Sequence, residues 1–578
     1  MAVLTFENIS EARNSVSGMF TQLHEKLSED ESYFELEFAD ELKLPAKFKN
    51  RGIVLPTARE IVETAVNHIS TYHRRVEVPR RTPTKRGTEQ AQLLRRFYEA
   101  LLNYLENQGL VSPYRELMKH VVLYGICIAK FVYDKKQNPR KPRRNEFKSE
   151  DEYKAAITDY NYYKTETMPF SIQVLHPSEV YFDPFHDQPE WVIQCSKKYV
   201  YELNRNYPEW GNPKSRKPFD QVEVLEYWDK EYMGVDIEGD PAMEVGMHKH
   251  GWGAHPYVFM ASGLGNEAKD HALDKRFVGL MRHVKRVLES ESRNYSIADI
   301  VNVMGAWPVR TVEGERANEM HPIEYEYGQI IPIPPGTKVN DLAPQLVPDQ
   351  VYQHLSVASA IISAATAPRV VRGQREPGTR TGYQHQLTLA EAKLMYNSFA
   401  EAGSKLLTLI CKKSAMYMEN AVRNPVNVDA GARRDEFKPV SKSTFRGHHA
   451  VDVKINVQEP EDEIRKQQNY AAMVGSGIMS AETAIKNGQP DVDPTEELGR
   501  ILGNRALLSE GILQIVVALA SNKLQDKMAL QEQIAQMLPT GGTGQAPPAK
   551  QTEDTNRQAQ AVDRDQMLLP GREMLGGR

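Results

Sequence analysis

The residues best placed to act on a polyanion are four arginines, Arg369, Arg372, Arg375 and Arg380. They lie in Ala367-Pro-Arg-Val-Val-Arg-Gly-Gln-Arg-Glu-Pro-Gly-Thr-Arg-Thr-Gly382, with one glutamate among them. A guanidinium forks onto phosphate oxygens, a contact that positions a nucleic acid without reading its bases. Pro368, Gly373, Pro377, Gly378 and Gly382 keep the stretch irregular. On arginine count alone it reads as a solvated turn. If the chain formed a ring, each arginine would repeat around the axis as a sequence-blind contact for duplex phosphates.

Other chemistry lacks a constellation. There is no phosphate-binding G-x-x-x-x-G-K-[ST] loop, no H-E-x-x-H helix and no G-x-S-x-G elbow. Gly263-Leu-Gly-Asn-Glu-Ala-Lys269 starts like a dinucleotide loop but lacks the third glycine. His448 and His449 are adjacent, so in a strand they point to opposite faces and cannot share a metal; they read as exposed loop histidines. No carboxylate pair stands out as a catalytic dyad. Cys127, Cys195 and Cys411 are too scattered for a disulfide framework or a zinc site, and read as isolated core thiols. No catalytic residue, metal or cofactor is expected.

The elements that must carry the arginines come in a definite order. From about Asp270 a helix is expected, with Phe277, Leu280, Met281, Val284, Val287 and Leu288 on one apolar face. Lys275, Arg276, Arg282, Lys285, Arg286 and Arg293 share it, as solvated cations, bridges to neighbouring subunits' acids or a polar face for channel or solvent. A turn-rich insert runs from Trp307-Pro308 to Ile330-Ile-Pro-Ile-Pro-Pro-Gly336. A second helix carries Val351, Leu355, Ala358, Ile361, Ile362 and Ala365 at the same spacing. The arginine stretch follows, and then a helix from Tyr383 to about Ala421, more than about 50 Å long if unbroken.

The 578 residues exceed one compact core and suggest two to four domains or one elongated subunit. Net charge is −5, so any nucleic-acid contact must come from local basic patches. The N-terminus lacks the features of a signal peptide. The longest apolar run, Ile512 to Ala520, is far short of the roughly 20 residues of a membrane span. A soluble protein made inside a cell is expected.

Before Asp270 the pattern predicts helices over 7–30, Thr57 to Arg74, Glu89 to Gln108, and from Ser112-Pro113 to Gly125. Strands are predicted at Ile126–Tyr133, Phe170–Leu175, His176–Pro184, Trp191–Cys195, Val222–Trp228 and Tyr257–Ala261. Asp134 to Arg144, with six Lys or Arg and two prolines, reads as a projecting loop, either solvated or touching a polyanion or an acidic partner. After Ala421 come a strand at Val451–Val457, helices between Gln467 and Leu502 with Ser480 as an N-cap, a helical stretch over 505–538, and a Gly-, Thr-, Gln- and Pro-rich tail expected to be disordered.

Taken together, this order resembles the portal proteins of tailed bacteriophages. The familial phrases are Leu123-Tyr-Gly-Ile-Cys-Ile-Ala-Lys-Phe-Val-Tyr-Asp134, His176-Pro-Ser-Glu-Val-Tyr-Phe-Asp-Pro184, Ile362-Ser-Ala-Ala-Thr-Ala-Pro-Arg369 with Thr379-Arg-Thr-Gly-Tyr383, and Gly477-Ile-Met-Ser-Ala-Glu-Thr-Ala-Ile485. The resemblance covers about 110–510 and lies in the order of elements more than in any motif; short-tailed phages are a plausible subgroup. It implies an α+β, mainly α portal fold of wing, helical stem, clip and helical crown, assembled as a ring.

On that template 1–269 is the wing, 270–304 a stem helix, 305–343 the clip, 344–366 the second stem helix and 367–382 the tunnel loop. Residues 383–465 are a long kinked helix and returning wing strands, 466–538 the crown and 539–578 a tail. The implied DNA-facing residues are Arg369, Arg372, Arg375 and Arg380. The implied docking rim is Ile331, Pro332, Ile333, Pro334 and Pro335, and the stem cations are Lys275, Arg282, Lys285 and Arg286.

The implied job is a ring, usually of twelve, at one vertex of the capsid. It carries double-stranded DNA in and out without sequence specificity. Its partners would be the terminase large subunit, which holds the ATPase, the major capsid and scaffold proteins, and tail or neck adaptors, with no membrane. Twelve chains would carry about −60, which would keep the ring from trapping DNA. The competing readings are a head-tail connector or scaffold-like oligomer that binds protein only, and a nucleic-acid-processing enzyme.

Overall fold

The computed structural model describes residues 6–507 apart from 71–72, 139, 167, 187, 239, 242–246, 267–271, 307–308, 315–335, 337, 343–348, 367, 369–393, 430–436, 457–459 and 489–493. The chain is α+β with helix predominating, and divides into two compact units, residues 1–463 and 464–578.

The first unit opens with α1 (Phe6–Phe34), which buries Ile9, Phe20, Leu23 and Leu27 along one side. Helix α2 (Thr57–Ser70) buries Ala58, Ile61, Val62, Ala65, Val66 and Ile69, an i, i+3, i+4 stripe. Strand β1 (His73–Glu77) leads to α3 (Lys85–Glu106), where the N-cap Thr84 accepts the Gly87 amide at 3.2 Å. Helix α4 (Pro113–Tyr124) is capped by Ser112, with proline in its first turn as expected and Gly125 in the left-handed region with φ 81° as its stop.

Strand β2 (Ile126–Tyr133) follows at once and is buried along almost its whole length. After α5 (Glu150–Glu166) come β3 (Phe170–Leu175), β4 (Val180–Phe182), β5 (Val192–Tyr199), α6 (Val200–Asn206), β6 (Gln221–Trp228), β7 (Tyr232–Ile237) and β8 (Tyr257–Ala261). One antiparallel sheet has the order β8-β2-β3, with Lys130 opposite Tyr257 and Phe131 opposite Ile172. A second runs β4-β5-β6-β7, extended by the short pairings of Asp240–Pro241 and His248–Lys249.

The two sheets meet through a buried polar cluster. Lys130 Nζ lies 2.6 Å from Glu226 and 3.1 Å from Gln194; Trp228 Nε1 donates to Glu226 at 2.6 Å and the Tyr257 hydroxyl to Gln194 at 3.0 Å. Burial works to raise the Glu226 pKa, but Lys130 and the Trp228 donor hold it below the usual carboxylate value.

The helix expected from Asp270 is broken. The chain makes one short turn at Leu273–Arg276, a tighter one at Leu280–His283, and only then α7 (Lys285–Ala306). The cause is steric. A Cβ on Gly279 would lie 1.9 Å from the Leu123 carbonyl, and one on Gly125 2.3 Å from the Val278 nitrogen. The two backbones cross at van der Waals range, where no helix wall fits. Phe277, Leu280, Met281, Val284 and Leu288 are all buried, so the apolar pattern marked a core segment without marking one helix.

Strands β9 (Val309–Glu313) and β10 (Lys338–Leu342) pair antiparallel, and α8 (Asp349–Ala365) packs against α7. Helix α9 (Asn397–Asn420) lies within the stretch expected as a long helix from Tyr383; it begins after a turn at 395–396, and residues 383–393 lie outside the described residues. It lies on β8 and on β13 (Asp452–Asn456), which pairs with β1; β11 (Val426–Asp429) and β12 (Phe437–Val440) form a hairpin between them. Ser404 and Thr408, one turn apart on α9, accept the amides of Ile455 and Val453 at 3.1 and 2.9 Å, capping alternate residues of the strand. One apolar cluster runs from α1 to β13.

The second unit holds α11 (Ala481–Gly488) and α12 (Pro494–Leu507), and α10 (Pro460–Gly475) runs into it. Ser480 caps α11, accepting the Thr483 amide at 3.2 Å. Among the described residues no helix is long and apolar enough to cross a membrane.

Two further expectations change. Strand β7 lacks strong alternation and went unpredicted. His448 and His449 sit outside any strand: His448 is buried with Nε2 2.8 Å from the Pro79 carbonyl, and His449 is 2.8 Å from Glu419.

Candidate nucleic-acid interface

The candidate site is the arginine segment and the elements that hold it. Arg369, Arg372, Arg375 and Arg380 lie outside the described residues, as do the docking residues Ile331, Pro332, Ile333, Pro334 and Pro335. The structure does show what brackets each stretch.

The arginine segment leaves from the end of α8 and returns at the start of α9. Thr366 is fully buried, its amide and hydroxyl both bonded to the Ile362 carbonyl, at 3.0 and 2.6 Å. Thirty residues on, the buried Tyr396 hydroxyl donates to the Thr366 carbonyl at 2.9 Å. The Tyr396 ring stacks on His68 of α2, centroids 6.0 Å apart. The two ends of the segment are therefore tied to each other and to the body. A carbonyl freed by the end of a helix is satisfied by a phenol from the far side of the loop.

The insert is bracketed in a similar way. Pairing of β9 with β10, Val309 opposite Leu342 through Glu313 opposite Lys338, closes its base and leaves residues 314–337 beyond the strand ends.

The four stem cations divide. Lys275 and Arg286 are exposed. Arg282 and Lys285 are turned inward onto Asp30 of α1, which has no exposed surface. Lys285 Nζ lies 2.8 Å from Asp30 Oδ1 and 3.1 Å from Glu29, and Arg282 Nε lies 3.2 Å from Asp30 Oδ2. The Arg282 guanidinium also reaches the Asp274 and Phe277 carbonyls, each at 2.8 Å. Lys285 sits 4.9 Å from the centre of the Tyr33 ring, whose hydroxyl donates to Glu289 at 2.6 Å. For Glu29, burial is outweighed by Lys26 and Lys285, which lower its pKa.

Of the readings the sequence left open for Arg282 and Lys285, neither a solvated cation nor a bridge to another subunit describes these contacts, which are made within the chain. They are the internal clasp between α1 and the start of α7. Further along α7, Ser292 and Ser296 accept the amides of Leu55 and Ile53 at 3.2 and 2.9 Å, and Arg293 donates to the Leu42 carbonyl at 2.7 Å. Asp30 escaped notice in the sequence because Glu29-Asp30-Glu31 looks like any acidic stretch on a polar helix face.

The basic loop after β2 is partly tied down as well. Asn138 and Asn424 exchange side-chain-to-carbonyl bonds at 3.2 Å, and Arg144 pairs with Glu150 at 2.7 Å. Among the described residues no group of three His, Cys, Asp or Glu side chains could hold a metal. Cys127 and Cys411 are buried, their thiol pKa pushed up by burial, and Cys195 is part-buried.

No protein-family model matches the chain, and no curated protein does. Solved structures do. The neck of an empty gene transfer agent particle, computed with C6 symmetry, matches at 13% identity and TM-score 0.39 over 77% of this chain and 92% of that one. The neck of the native particle, computed with C12 symmetry, matches at 12% and 0.37 over 77% and 92%. The virion of the native gene transfer agent particle matches at 12% and 0.37 over 78% and 92%. At TM-scores below 0.5 the likeness carries no argument about arrangement or function.

Proposed function

We propose that this chain is a portal-type subunit. Copies would close into a ring at one vertex of a phage-like particle and pass double-stranded DNA through its centre. The observation that carries the reading is the sequence of brackets along the chain. Two packed helices flank an insert closed by paired strands, and a hydrogen-bonded gate at Thr366 and Tyr396 holds a four-arginine segment at both ends.

In this reading α7 and α8 form the stem, 305–343 the clip that docks the packaging motor and later the neck or tail proteins, and 367–382 the tunnel loop. Arg369, Arg372, Arg375 and Arg380 touch passing phosphates weakly, without reading bases. Lys275 and Arg286 remain available to the stem surface. The chain itself does no chemistry; the work of translocation belongs to a separate ATPase.

Replacing Arg372 and Arg375 by alanine tests this. The variant ring should assemble normally and package or retain less DNA. Loss of assembly would instead assign these arginines to subunit interfaces.

A further inference from the structure

A second basic face lies on the body, away from the segment just described. The turn between β1 and α3, Pro79-Arg-Arg-Thr-Pro-Thr-Lys-Arg86, carries four cations and no acid. The fold lays it beside the helical turn Lys442–Phe445 and its left-handed cap Arg446. His448 Nε2 lies 2.8 Å from the Pro79 carbonyl, Gln90 Nε2 donates to the Thr444 carbonyl at 2.5 Å, and Arg81 donates to the Arg446 carbonyl. Phe445 anchors the junction, edge-on to Phe97 at 5.5 Å. Gly87 lets the turn fold back, since a Cβ there would lie 2.3 Å from the Thr82 carbonyl.

The result is one surface with Arg80, Arg81, Lys85, Arg86, Lys442 and Arg446, all exposed. Among the described residues none of the six forms an ion pair. Their neighbours do: Arg74 pairs with Glu106, Arg95 with Glu99 and Lys454 with Glu77. Six like charges on one surface repel one another, and a bound polyanion would relieve that repulsion; the nearby Glu419 carboxylate is engaged by the Gly447 amide and His449.

We propose that this face binds the phosphate backbone of nucleic acid, as a contact independent of the arginine segment and of ring formation. An acidic protein is the other polyanion to weigh. Protein interfaces centre on buried apolar or aromatic side chains, yet neither stretch exposes a large apolar residue. What surrounds the cations is hydroxyl, from Thr82, Thr84 and Ser443, all exposed. Arginine, lysine and hydroxyl donors are the set that grips phosphates.

The test uses the full chain and a fluorescent duplex of about 30 base pairs and arbitrary sequence, titrated by anisotropy over a salt series; on a lattice of phosphates each contact contributes about 0.9 to the log–log salt slope. The variant Arg80→Gln/Lys85→Gln/Arg86→Gln/Lys442→Gln should bind at least about tenfold more weakly near 0.1 M salt, with a slope smaller by about 3 to 4. The same loss should appear when Arg369, Arg372, Arg375 and Arg380 are already glutamine. Should the fourfold variant fail to fold, Arg80→Gln/Lys442→Gln should show about half the slope change. Unchanged affinity and slope would overturn the proposal. So would wild-type protein that ignores the duplex, or a polyglutamate peptide that competes as well as DNA.

Discussion

Asp30 shows how much one residue can hold. It is fully enclosed and faces two cations from a segment some 250 residues away, through Arg282 and Lys285. Removing one partner of a buried ion pair strands the others without solvent, a loss on the order of 3–5 kcal/mol. Asp30→Asn, which keeps the shape and removes the charge, should therefore lower the denaturant midpoint sharply, and a midpoint close to wild type would remove the clasp from the account. His120 makes a different prediction. Burial is the main cause that lowers its pKa to about 4 from an ordinary 6.5, reinforced by His176 and Lys119 and resisted by a hydrogen bond to the Leu175 carbonyl. The unfolded chain takes up this proton below about pH 6.5 while the folded chain resists until about 4. The contribution is thus intact above pH 6.5 and is lost as the pH falls through that window. His120→Gln should flatten that stretch of the stability profile; an unchanged profile would assign the acid sensitivity elsewhere.

At the scale of elements, the gate below the arginine segment is the feature to probe. Tyr396→Phe deletes the bond to the Thr366 carbonyl, worth about 1 kcal/mol. Amide exchange near residues 366 and 396 should quicken while the core of α9 stays protected, and no local change would mean the bond holds nothing. Much of this level was readable in advance. Ser112, Pro113 and Gly125 bounded α4 because end signals act within a turn, and β2, β3 and β8 were found because their apolar residues alternate or run unbroken. The stretch from Asp270 was misread because Phe277 to Leu288 has a helical apolar period, while the crossing of Gly279 over Leu123 is a contact between distant segments that no local pattern reports. The fate of Arg282 and Lys285 was hidden for the same reason: whether a cation faces water or a buried carboxylate is decided by α1.

At the scale of the molecule, the largest apolar cluster of the first unit runs from α1 to β13 and includes Ile362 and Tyr396, on either side of the arginine segment. With −5 per chain, the assembly would be acidic overall, and its contacts with DNA would be confined to local cations. The central claim is that these chains close into a channel. The most direct measurement is a cryo-electron-microscopy reconstruction of the purified full-length protein. The account predicts a closed ring with a lumen wide enough for a duplex and residues 367–382 of every subunit facing it. A compact monomer under all assembly conditions, or a ring with those residues on its outer rim, would contradict it.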